Sequence, residues 1–127
     1  MSKSSGPAAL ETGLSRVLEA HDLVCGAFFS ADGIVGPRVG DFEKLQTKGL
    51  ASALLGPYGS ARATFESLDG QLLPKMWAQG QVFAFMDKVG EDLAVVVFGQ
   101  GEQNAIEQYR LSKHVGQTIA AECRTTD

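Results

Sequence analysis

Residues 81–99, reading QVFAFMDKVGEDLAVVVFG, limit what this chain can fold into more than any other stretch. Two almost purely apolar runs, 82–86 and 93–98, flank a polar connection. Neither run alternates between apolar and polar residues, and β-branched and aromatic side chains dominate both, so each predicts a strand covered on both faces. Helices must then lie on both sides of the sheet. The connection, 87–92, carries four charges and a glycine, which suits a short solvated hairpin turn. This stretch supplies a scaffold and no chemistry.

From the start of the chain, Leu10, Leu14, Val17, Leu18 and His21 fall on one helical stripe, with Glu11, Arg16 and Glu19 turned away. They predict a first helix over 7–21. Asp22 ends it, and 23–30 (LVCGAFFS) is a third apolar run that belongs beside the central pair. Ala31-Asp32-Gly33 is the strongest local signal, because Asp-Gly between two strand-like runs favours a tight hairpin with positive φ. The partner strand, 34–39, contains Pro37, which has no N–H to give and so belongs at a sheet edge. Asp41 offers an N-cap, and Phe42, Leu45, Gly49, Leu50, Ala53 and Leu54 recur at helical spacing, predicting a second helix over 42–55. Gly56-Pro57-Tyr58-Gly59 interrupts it. Ser60 then caps a short helix with Ala61, Phe65 and Leu68 inward, and Leu68-Asp69-Gly70 is another turn. The second half of 71–79 (QLLPKMWAQ) reads as an edge strand. After Phe98 a Gly99-Gln100-Gly101 loop leads into a last helix over 103–123, with Ile106, Tyr109, Ser112 or Lys113, Gly116, Ile119, Ala120 and Cys123 on its inward stripe. The order helix, strand, strand, helix, three strands, helix predicts an α+β fold: one five-stranded antiparallel sheet with helices on both faces.

At 127 residues the chain has the size of one domain, spanning 1–127, with residues 1–6 a flexible N-terminus. No run approaches the ~18 apolar residues of a membrane helix, and MSKSSGPAAL lacks the apolar centre of a signal peptide. The expectation is a cytoplasmic protein with no membrane insertion. A net charge of −4 with eleven scattered basic residues argues against nucleic acid as a partner. Cys25 and Cys123 show no metal or redox spacing and read as reduced, buried thiols.

Candidate chemistry is sparse. His21 and His114 stand singly along the sequence, and Glu91-Asp92 and Glu66 with Asp69 lie in turns with no apolar pocket to raise a carboxyl pKa. Gly99-Gln100-Gly101 resembles a phosphate loop only superficially, because it lacks a third glycine, a Gly-Lys-Ser/Thr ending and a parallel crossover unit. The sequence therefore nominates no catalytic residue, no cofactor-binding residue and no metal ligand, and predicts a protein that is not an enzyme. Trp77 suits an interface as well as a core. Tyr109 reads as buried beside a solvated Arg110.

Taken together, residues 10–123 resemble the roadblock/LC7 family, small domains related to a dynein light chain and to bacterial regulators of Ras-like GTPases. The likeness rests on the amphipathic first helix leading into LVCGAFFSADGIV, on the long second helix, and on LAVVVFG followed by a final helix. Residues 56–80 look longer and more broken than the family's passage from helix two to strand three. The resemblance implies a profilin-like fold and a homodimer in which helix two and the third strand of each protomer meet across a two-fold axis. It places Phe42, Leu45, Gly49, Leu50, Ala53, Lys75, Met76 and Trp77 at the dimer interface. A proline-bearing edge strand beside a helix with small residues on its face is itself an edge that needs covering. Burying Trp77 and Met76 there contributes roughly 1.5–3 kcal/mol each by area transfer. The function implied is a non-catalytic regulatory scaffold that binds a Ras-like small GTPase or a related cytoplasmic assembly. The rival reading is a PAS-like sensor, which needs a ligand cavity near Cys25, Phe28, Phe83 and Phe85.

Overall fold

The computed structural model describes residues 7–56, 59–68, 75–102 and 104–123. The expected N-terminal tail, the Asp69-Gly70 turn and residues 71–74 lie outside them, as do Pro57 and Tyr58. In chain order the elements are α1 (Pro7–His21), β1 (Cys25–Ser30), β2 (Val35–Gly40), a 3₁₀ turn (Phe42–Lys44), α2 (Gly49–Leu55), α3 (Ser60–Glu66), β3 (Lys75–Gln79), β4 (Val82–Lys88), β5 (Leu93–Gln100) and α4 (Ala105–Glu122). The five strands form one sheet ordered β2-β1-β5-β4-β3, every pairing antiparallel. The two apolar runs that organise the sequence become β4 and β5, and β5 lies at the centre.

Both faces of that centre are dry. Ala94, Val96 and Phe98 of β5, with Ala84 and Met86 of β4 and Cys25, Ala27 and Phe29 of β1, pack beneath α2 and α3. Val95, Val97, Phe83, Phe85 and Phe28 project to the other side and meet Leu14, Val17, Val115 and Ile119 of α1 and α4. Strand side chains alternate between faces whatever their chemistry, so a sheet covered twice demands apolar residues at every position. This is why the sequence shows runs in place of alternation.

The edges are handled differently. At the outer edge β2 has a register shift opposite Ala27 and Phe29, so Val35 joins the α2/α3 layer while Val39 joins the α1/α4 layer. A bulge has moved the side chains from one face to the other. The β1–β2 turn adopts the expected form: Gly33 has φ +88°, and its N–H donates to the Ser30 carbonyl at 2.9 Å. Asp22, at φ +54°, ends α1 in the left-handed region, which aspartate tolerates better than most residues.

Three expectations are corrected. The second helix does not run from Phe42 to Leu55. A 3₁₀ turn covers Phe42–Lys44, Leu45 is extended, and α2 begins only at Gly49. Gly59, not Ser60, holds the N-cap position of α3. Gly99 and Gln100 belong to β5, and α4 starts after an Asn104 cap whose side chain accepts from the Glu107 N–H while Glu107 accepts from the Asn104 N–H.

Candidate functional site

Strand β3 lies at one end of the sheet, as β2 lies at the other. Its only strand neighbour among the described residues is β4, with Met76 opposite Phe85 and Trp77 opposite Ala84. Directly opposed residues share a face. Met76 therefore stands on the α1/α4 side, where it is 42% exposed, and Trp77 stands on the α2/α3 side, half-buried against that core. The two residues nominated as neighbours in one interface flank the edge from opposite faces. Lys75 opens the strand, paired with Met86.

Helix α2 lies close to this edge. A Cβ on Gly49 would fall 2.5 Å from Gln79 Oε1, so the first turn of α2 and the last residue of β3 are in direct contact. Leu50, Leu54 and Leu55 point into the chain's own core. Gly49, Ser52 and Ala53 stay exposed, and they form the helix's outward surface. Leu45 is also buried, at 4% exposure. Of the residues expected at an interface, then, Leu45 and Leu50 support the chain's own packing, whereas Gly49, Ala53 and Met76 reach solvent. Phe42 meets Phe98 edge-on with ring centres 5.6 Å apart, under the Arg38 guanidinium at 5.3 Å. Phe42 and Arg38, with Lys48, Ser52 and Leu55, border a shallow hollow of about 180 Å³.

Two polar clamps set the pose of α2. The Gln100 side chain accepts from the Gln46 N–H and donates to the Lys44 carbonyl, both at 2.8 Å. A side-chain amide from β5 thereby takes up backbone groups that a continuous helix over 42–55 would have paired internally. At the other end, the Thr64 hydroxyl of α3 lies 2.8 Å from both the Leu54 and Ser60 carbonyls. Leu54 is in the last turn of α2, where carbonyls have no partner within the helix. Sequence reasoning missed Gln100 because its partners are 54 and 56 positions away.

The residues screened for chemistry take structural places. His21 Nε2 lies 2.8 Å from Thr118 Oγ1, and that hydroxyl donates to the His114 carbonyl at 3.0 Å, so the imidazole acts as donor to it. Burial, and then the nearby His114, hold the His21 pKa below its ordinary value. Burial pushes the Cys25 thiol up to about 12, with Asp41 adding to the rise and Arg38 opposing it. Burial also takes Cys123 to about 12, with Glu122 adding to it. Among the described residues no three metal-ligating side chains cluster, and no helix is long and apolar enough to cross a membrane. A hollow of about 580 Å³ between the β3–β4 turn and the start of α4 is bordered by Glu102, Asn104 and Glu107. Asn104 already occupies the helix's amide end and the two carboxylates repel anions, so a phosphate is unfavoured there.

The four residues that a sensor cavity would need do not line one space. Cys25 faces the α2/α3 layer, and Phe28, Phe83 and Phe85 face the α1/α4 layer. All four are at most 4% exposed, and the Phe83 and Phe85 rings pack 5.3 Å apart. Helix α4 corrects a further expectation. Its inward stripe is Leu111, Val115, Ile119 and Cys123, while Ile106 and Tyr109, expected inside, are 64% and 54% exposed.

No protein-family model matches the sequence, and no curated protein matches it. Solved structures do. MglC from Myxococcus xanthus aligns with a TM-score of 0.66 at 20% identity, over 91% of this chain and 97% of that one. The gliding protein MglB from Thermus thermophilus aligns with a TM-score of 0.62 at 12% identity, over 97% and 94%. A Roadblock/LC7 domain from Streptomyces avermitilis aligns with a TM-score of 0.51 at 16% identity, over 91% and 98%.

Proposed function

From the roadblock/LC7 fold that this chain adopts, we propose that it is a non-catalytic homodimeric scaffold in the cytoplasm that regulates a Ras-like GTPase or a related assembly. The observation that carries this reading is the β3 edge, which has no second strand neighbour among the described residues, with the exposed Gly49 and Ala53 of α2 beside it. A strand edge leaves a row of N–H and C=O groups to be covered. A second copy related by two-fold symmetry brings the same edge antiparallel to the first and places the two α2 helices in contact, where small side chains permit close approach. The result is a continuous two-protomer sheet, with the α2 pair as a platform on one face.

Such a platform acts on a GTPase by equilibrium. Binding one arrangement of the partner's switch segments more tightly than another shifts the partner toward it, and a tenfold difference corresponds to about 1.4 kcal/mol. No group here needs to enter the partner's active site. The reading is tested by calorimetric titration of the purified protein with Ras-like GTPases from its own cell, each loaded with GDP or a non-hydrolysable GTP analogue. Saturable binding that differs between the two nucleotide states is expected. Absence of binding to every such GTPase in both states would sink the GTPase half of the proposal.

A further inference from the structure

We propose that the outward face of α4 is a second docking surface, which takes an acidic amphipathic helix of another protein. Helix α4 carries two stripes. Leu111, Val115, Ile119 and Cys123 are committed to the core. The other stripe, Ile106, Tyr109, Arg110, Lys113 and His114, follows the spacing i, i+3, i+4, i+7, i+8 and borders a shallow groove of about 530 Å³. Ile106 and Tyr109 are two of only four large apolar side chains exposed among the described residues. The buried stripe accounts for one face of α4, whereas the opposite face places two exposed apolar side chains, Ile106 and Tyr109, beside basic ones, a mixed surface that an amphipathic helix can read.

Charge selects the occupant. The chain carries −4 overall, yet the charged side chains along this groove are Arg110 and Lys113. Neither Arg110 nor Lys113 forms an ion pair among the described residues. Glu107, the acidic side chain nearest in sequence, is turned to the Asn104 N–H in the capping box. An acidic helix laid along the groove seats its apolar residues against Ile106 and Tyr109 and its carboxylates against Arg110 and Lys113. Two lysine and arginine side chains are too few for a lipid surface, where clusters of about four to eight are typical. Because α4 covers the sheet face opposite α2, this surface stays open when the β3/α2 edge is paired. The protein can then join two partners at once.

The test uses the full chain and a synthetic amphipathic helix of about five turns, with leucine along one face and glutamate on its flanks. A counterpart with lysine for glutamate and anionic phosphatidylserine vesicles serve as comparisons. Fluorescence anisotropy should show the acidic peptide binding at least about tenfold tighter than the basic one. Amide chemical-shift changes should centre on Ile106, Tyr109, Arg110 and Lys113. The R110E/K113E double variant should reverse the preference, and I106S should weaken both peptides. All three positions are exposed, so the variants should keep the wild-type circular dichroism; if one does not, the shift map on the wild-type protein still decides. The proposal is overturned if the two peptides bind equally, if the shifts fall on β3 and α2, if only the vesicles bind, or if I106S removes a self-association instead.

Discussion

Replacing Gly13 by alanine sets helix propensity against tertiary packing, and the structure decides the sign. In an isolated helix the change is favourable by about 1 kcal/mol, because glycine gives up more backbone freedom. Gly13 is buried where α1 crosses α4, and a Cβ built there falls 2.3 Å from the Glu122 carbonyl oxygen and 3.1 Å from its carbon. The obstacle is backbone and cannot rotate aside. Reaching even a 3.0 Å separation, a limit real Cβ atoms respect, requires the helices to part by about 0.7 Å, the difference between the two distances. A gap of that size forfeits roughly a quarter to a half of each dispersion contact it opens. The contacts at risk join Leu14 and Val17 to Val115, Ile119 and Cys123. Overpacking of this kind costs about 1–3 kcal/mol, which outweighs the propensity gain at all but the lowest cost. Urea denaturation should therefore show Gly13→Ala destabilised, by up to about 2 kcal/mol, with an unchanged m-value. A variant stabilised by about the 1 kcal/mol that helix propensity alone provides would refute the close crossing of α1 and α4.

Thr64→Val keeps the shape of the side chain but leaves the Leu54 carbonyl without its hydroxyl donor; equilibrium unfolding should show a loss of about 1–2 kcal/mol, and a neutral result would mean that Thr64 does not anchor α2. Because the His21 pKa is lowered on folding, the unfolded chain binds the proton more readily, so stability is full above the ordinary histidine value of 6.5 and declines as pH falls through it. Thermal melts across that range should show the decline, and His21→Gln should flatten it; an increase in stability on acidification would contradict the assignment. With thiol pKa values raised to about 12, Cys25 and Cys123 should react with a disulfide reagent at neutral pH only as fast as the chain opens. Labelling at a rate independent of added urea would show that at least one thiol is accessible in the folded state.

How much of this was legible in the sequence depends on where each residue finds its partner. The runs 82–86 and 93–98 were readable because a sheet covered on both faces imposes an unbroken apolar pattern locally. The Asp32-Gly33 turn was readable because its hydrogen bonds stay within a few residues. The second helix failed for the opposite reason. Phe42, Leu45, Gly49 and Leu50 do keep helical spacing, but Gln100 captures Lys44 and Gln46 from far along the chain, and no local period reveals that. In α4 the first half offers two apolar stripes. A stripe through Ile106 and Tyr109 keeps helical spacing, whereas the helix turns Leu111 and Val115 to the core, in keeping with the more frequent burial of leucine and valine than of tyrosine. Ile119 and Cys123 lie inward in either reading. For the candidate interface, the edge position of β3 was visible in its neighbouring sequence. The division of Met76 and Trp77 between opposite faces follows from strand alternation, while the inward commitment of Leu45 and Leu50 needed the packed sheet to be seen.

The proposed homodimer pairs along β3 and α2, and its mass under native conditions reports that pairing. Native mass spectrometry of the wild-type protein, whose chain is 13.5 kDa, should give a species of about 27 kDa, twice that mass. Ala53→Arg places a long charged side chain on the exposed surface of α2 without touching the protomer's core, and should return the species to 13.5 kDa with its circular dichroism intact. A wild-type protein that remains a monomer at micromolar concentration, or an Ala53→Arg variant that remains a dimer, would contradict the account.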